Sequence, residues 1–251
     1  MTTNVFDGNS LVMATDSRWS IERGSWLFYL DDTGYSKIER SHERVLSFAG
    51  YGGKIQEWKN WIRSEPADAS NIPDFKGMSV CMVDEATGIV EFQIQDIVAN
   101  NAYCAGTGAY PAYGCWVENR CSKRAVVTAI SKDLYSGGEV KFIDLLTKNH
   151  NLTDLYPQSQ LTIADVSAAI AKRGIPMKLD NIPGSPKLPF PKAADGEAVN
   201  DEDAVRGEIQ AMVAAGQISA NAPCIGMHND WTEENKEKFT QALGKMFGWK
   251  K

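Results

Sequence analysis

The chain has 251 residues, 43% hydrophobic and 23% charged, with a net charge of −6. That composition excludes a disordered polymer or a fibrous repeat, and the acidic balance argues against a nucleic-acid binder, which carries a basic patch. No apolar run approaches the roughly 20 residues that span a bilayer, and Asp7, Asn9, Asp16 and Arg18 interrupt the start, so the chain reads as cytoplasmic without a secretory leader.

TTNVF and SLVMATDS are β-rich runs joined by the turn signal DGN, and predict a hairpin whose returning strand ends in Asp16-Ser17-Arg18. SWLFYL, the turn DDTG and YSKIER predict a second strand pair, and RVLSFAG a further strand ending at Gly50. Ile55, Trp58 and Ile62 recur at helical spacing until Pro66 stops the pattern. KGMSVCMVD and GIVEFQIQDI read as strands about the turn DEATG. AVVTAISKDL reads as a helix with Val126, Val127 and Ile130 inward, and EVKFIDLL as a returning strand. Strand pairs alternating with helices imply sheets covered by helices, an α+β layered architecture.

Pro176, Pro183, Pro186, Pro189 and Pro191 crowd one stretch that can neither continue a helix nor sit mid-sheet, so it reads as a linker or arm. The chain is therefore divided into residues 1–150 and a proline-rich, mostly helical extension, 151–251. That extension holds three helices: one capped by Thr162 with Ile163, Val166 and Ile170 on its apolar side, an acid-capped one ending at Gly216, and an amphipathic C-terminal one with Phe239, Leu243, Met246 and Phe247 on one side. Cys81, Cys104, Cys115, Cys121 and Cys224 form no CxxC pair, and His42, His150 and His228 lie far apart. Neither a disulfide framework nor a metal site or cofactor is expected.

The chemistry starts at the second residue. A small residue after Met1 permits methionine removal, which would leave Thr2 as the N-terminus. A free N-terminal threonine combines a nucleophilic hydroxyl with its own base, an α-amine of ordinary pKa about 7.7–8.0. The first hairpin brings Asp16 back near Thr2. Lys37 beside them would stabilise the alkoxide and lower the amine pKa, with Asp16 holding the lysine. Gly50, where a strand turns into a helix, offers a backbone N–H for an oxyanion.

VMATDSRWS, Lys37, VLSFAGYGG, YCAGTGAYPAYG and KDLYSGGEVKFIDL follow TTNVF in an order that resembles the proteasome β-subunits and their bacterial relative HslV, among the N-terminal-nucleophile hydrolases. The resemblance covers residues 2 to about 146 and implies a trimmed four-layer αββα sandwich. It implies a threonine peptidase with Thr2 as nucleophile, Asp16 and Lys37 as its charge pair, Gly50 as oxyanion donor, and Thr107, Asp133 and Ser136 around the threonine amine. Trp19, Ser20, Tyr35, Phe48 and Gly52 would line the substrate cleft, or the aromatics among them simply fill the core. Arg18 would be structural.

The resemblance further implies a peptide or unfolded-protein substrate, a homo-oligomeric ring and an ATP-driven unfoldase partner. The chain departs from the pattern in a first hairpin about two residues shorter, which keeps register if each arm loses one. A one-residue shift would put Ser36 at the lysine position, but the required charge selects Lys37. The helical segment between GTG and DLYSGG is shortened. Two other classes stay open: a catalytically inactive protein using the fold for assembly or binding, and an amidase of small molecules.

Overall fold

Strand side chains alternate between faces, and in β1 (Asn4–Asp7) that alternation assigns the layers. Val5 packs with Ala14, Cys104 and two helices, α2 (Ala109–Asn119) and α3 (Ser122–Ile130), through Ala112, Trp116, Val126 and Ala129. Phe6 faces the other way with Met13 of β2 (Val12–Thr15), onto Ile38, Val45, Cys81 and Val83 of a second sheet. The computed structural model describes residues 2–153, 160–179, 201–228 and 230–249.

The molecule is mixed α+β with antiparallel sheets. The first sheet runs β11 (Lys141–Asp144), β2, β1, β10 (Ala102–Ala105), β9 (Ile97–Ala99). The second runs β5 (Ile38–Ser41), β6 (Arg44–Gly50), β7 (Met78–Asp84), β8 (Val90–Ile94). Its outer face, Leu46, Phe48, Val80, Met82 and Phe92, meets α1 (Gly52–Arg63) and α6 (Glu233–Phe247). A third, small sheet orders β12 (Ile175–Lys178), β4 (Trp26–Leu30), β3 (Trp19–Arg23). Its Ile21 and Phe28 share a core cluster with α4 (Ile163–Arg173) and α5 (Glu202–Ala214).

The expected first hairpin forms, with Asn4 opposite Thr15, and one further backbone bond runs from Asp16 N–H to the Thr3 carbonyl at 3.2 Å. Ser17 and Arg18 instead donate their backbone N–H groups to the Gly137 carbonyl. The second strand pair is corrected. The SWLFYL strand pairs with β3 and β12, and the YSKIER strand pairs with β6. The reason lies in DDTG: Arg18 grips Asp31 and Ser17 holds Asp32, so this segment crosses between sheets instead of closing a hairpin. Val127 is also corrected. It is 55% exposed, while Ala125, Val126 and Ala129 face the first sheet.

The largest core cluster takes residues from both sides of residue 150. Phe239 of α6 stacks on Phe92 at 4.5 Å and lies 5.1 Å from Trp58. Of the crowded prolines, Pro176 lies on the edge strand β12, where a missing N–H is tolerated; Pro183, Pro186, Pro189 and Pro191 lie outside the described residues. Among the described residues no helix is long and apolar enough to cross a membrane.

Phe239 is fully buried among four aromatic rings, Trp58, Phe75, Phe92 and Trp231. Phe239→Ala is expected to cost about 3–5 kcal/mol, read as a lowered urea midpoint at unchanged slope.

Candidate active site

The Asp16 carboxylate lies at the junction where β2 gives way to β3. Its Oδ1 accepts the Thr2 hydroxyl at 2.6 Å, the Thr3 backbone N–H at 2.8 Å and the Lys37 ammonium at 2.8 Å. Its Oδ2 accepts the backbone N–H groups of Arg18 and Gly137, both at 3.1 Å. Thr2 and Asp16 have no exposed surface and Lys37 has 1%. Burial pulls the Lys37 ammonium below its ordinary pKa, and the Asp16 charge opposes that. Ser36, the one-residue alternative, instead turns its hydroxyl to accept the Ile38 N–H.

Helix α1 clamps the segment that carries Lys37. Buried Lys59 donates to the Ser36 carbonyl at 2.7 Å and pairs with Glu39, which also takes both prongs of Arg63 at 2.8 Å. Residues on either side of Lys37 are thus tied to one helix. Sequence pattern alone does not single out Lys59 and Arg63. The available signal was a pair of cations four apart, interleaved with the apolar stripe Ile55, Trp58 and Ile62.

Thr107, Asp133 and Ser136 come together. The Thr107 and Ser136 hydroxyls both donate to Asp133 Oδ2, at 2.9 and 2.7 Å. The cluster touches the N-terminal strand at Thr3, whose hydroxyl lies 2.7 Å from that of Ser136. Beside it, Gly106 has φ +97°, and a Cβ there would strike the Thr2 carbonyl. Its N–H donates to Asp96 at 2.6 Å, and burial pushes that carboxyl up to about 6. Arg18 is structural in its contacts. It forks onto Asp31, caps the Leu134 carbonyl and lies over the Tyr29 ring.

Gly50 ends β6 at φ +131°, and a Cβ would meet the Gly77 carbonyl. Its N–H is engaged: it donates to the Ala222 carbonyl at 2.5 Å, and Ala222 N–H returns to the Gly50 carbonyl at 2.9 Å. Ser20 and Asn221 exchange a matching pair at 3.2 and 2.8 Å. Gly52 N–H donates to the Asn221 side chain at 3.0 Å. Ser20 and Gly52 are therefore covered. Trp19, Tyr35 and Phe48 belong to the largest core cluster, with Trp19 Nε1 bonded to the Tyr35 carbonyl. Of the two readings open for these aromatics, cleft lining or core, the structure has them in the core. Asn221 and Ala222 were invisible as site residues, since SANAP carries only small residues before a proline.

No protein-family model matches the chain, and no curated protein matches it. Among solved structures it is similar to Thiobacillus denitrificans BPH in complex with epoxomicin, at 13% identity and a TM-score of 0.37, over 57% of this chain and 97% of that one. A second structure of Thiobacillus denitrificans BPH gives the same identity and TM-score over 57% of this chain and 96% of that one.

Removing one partner of a buried ion pair strands the other, so Asp16→Asn is expected to cost about 3–5 kcal/mol. The double variant Asp16→Asn/Lys37→Met should recover part of that loss in thermal unfolding. Glu22 accepts the Tyr135 hydroxyl at 3.3 Å and docks the 133–137 loop; burial pushes its carboxyl from 4.5 to about 7. A raised carboxyl stabilises the fold fully below its unfolded pKa, and that contribution is lost as pH rises through 7. Glu22→Gln should therefore gain on the unaltered protein by about 2 kcal/mol between pH 5 and 8 in urea unfolding.

Proposed function

We propose that this chain is a proteasome-like threonine peptidase, active once Met1 is removed. The observation that carries the reading is the 2.6 Å hydrogen bond from the Thr2 hydroxyl to Asp16, itself paired with buried Lys37. A lysine kept out of water beside a hydroxyl lowers the cost of an alkoxide, as activation of a weak nucleophile requires. In the proposed reaction Thr2 Oγ attacks a peptide carbonyl and its proton passes to the new α-amino group. The oxyanion takes the Gly50 N–H, the tetrahedral adduct expels the amine with that proton, and water cleaves the resulting ester. Thr107, Asp133 and Ser136 are positioning residues that fix Thr3 and so the start of the strand.

The layer order supports the αββα reading of the fold. Helices α2 and α3 cover one sheet, the second sheet lies beneath it, and α1 and α6 cover the far side. A ring of copies, an unfolded-protein substrate and an ATP-driven unfoldase belong to the same proposal. One observation favours a second reading, a non-catalytic protein using this fold for assembly or binding: the N–H assigned to the oxyanion already holds Ala222.

Intact mass of the purified protein, before and after incubation with epoxomicin or a β-lactone, separates the two. The peptidase is expected to lack Met1 and to gain one adduct on Thr2, lost in Thr2→Ala. Lys37→Ala should slow labelling by about a hundredfold or more. Retained Met1 with no adduct would leave the non-catalytic reading standing.

A further inference from the structure

Residues 220–222 do what a bound peptide does. They form an extended segment laid between two strands, with the Ser20 pair on one side and the Gly50 pair on the other. Adding a strand to free edges is a general mode of peptide recognition, in which backbone hydrogen bonds supply affinity and pockets read alternate side chains. The backbone bonds of Asn221 and Ala222 are all of that kind, and the Asn221 side chain adds one from Gly52. Ala220 and Ala222 are fully buried, and a Cβ on Gly52 would strike the Ala220 carbonyl, so the channel admits only a close-fitting strand. Pro223 follows and has no N–H with which to extend the ladder. The chain then drops inward, with Cys224 buried against Ala49 and Ala105.

We propose that Ala220–Ala222 is an intramolecular pseudosubstrate that occludes the cleft of its own chain, and that an extended peptide enters only when this segment leaves. The proposal rests on the peptidase reading for what the cleft does, but the occupancy is a property of binding alone. The Ala222 carbonyl oxygen accepts the Gly50 N–H, where an oxyanion would accept it. It also pairs the Ser20 edge in the same register. Peptide affinity is then reduced by the fraction of molecules in which the segment is docked. Beyond the strand pairing, Ala220 N–H donates to Ser167 of α4, and just past the segment Ser79 donates to the Cys224 sulfur. Release breaks the four strand-type backbone bonds and the Ala220–Ser167 bond.

Two variants test this, each in the full chain. Asn221→Pro removes the N–H given to Ser20. Ser20→Cys/Asn221→Cys places a disulfide across a paired position, so one folded sample is compared oxidised and reduced. The probe is a fluorescent peptide copying residues 217–224, QISANAPC with its cysteine replaced by serine, titrated into Thr2→Ala backgrounds and followed by anisotropy. Asn221→Pro is expected to bind it about tenfold or more tightly than the parent, and reduction of the disulfide pair to restore binding lost on oxidation. In proteins retaining Thr2, epoxomicin labelling should accelerate by a similar factor in Asn221→Pro. Equal peptide affinity in parent and Asn221→Pro, with no change on reducing the disulfide, would overturn the occlusion even if Thr2 labels. Tighter peptide binding with no labelling in any variant would uphold the occlusion and overturn the peptidase.

Discussion

One carboxylate organises this molecule. Asp16 gathers donors from Thr2, Thr3, Arg18, Lys37 and Gly137, and those belong to the N-terminal strand, the entry to β3, the approach to β5 and the 133–137 loop. A carboxylate taken out of water costs several kcal/mol unless its lone pairs are answered. Here both oxygens are answered, so desolvation is offset while three distant stretches of chain and the turn into β3 are fixed on one point. The site is rigid for the same reason that it is buried. Moving any of those stretches would strand a charge or a backbone donor.

A second tier of charge holds the first in place. Lys59, Arg63 and Glu39 tie α1 to the segment flanking Lys37, and Glu22 with Tyr135 ties β3 to the loop that carries Asp133 and Ser136. Apolar packing brings these elements together, but it is not directional. The ionic and hydrogen-bonded contacts choose the register in which they meet.

Much of this was legible in the sequence wherever the signal was local. The hairpin about DGN, the stripe Ile55, Trp58 and Ile62, and the Thr162 cap all follow from spacing, and the structure has each of them. Thr2, Asp16 and Lys37 could be nominated because their chemistry is specific to their side-chain types. What failed was pairing at a distance. DDTG has the composition of a tight turn, but Arg18 and Ser17 capture its two aspartates and send the chain to another sheet. The filling of the cleft is unreadable because backbone groups make it, and every residue but proline carries the same ones. Only Gly52 hints at it, by leaving room that the Ala220 carbonyl takes.

That backbone seal also has a position in time. Asn221 lies 169 residues after the Gly52 it contacts, so a ribosome has made the whole first sheet before the segment exists. Until it arrives, the edges at Ser20 and Gly50 carry unanswered N–H and C=O groups, the feature that draws stray strands into unwanted pairing. Closing so long a loop is slow compared with local folding. A nascent chain, or one cut before residue 220, is thus expected to be sticky toward extended polypeptide until those two edges are answered.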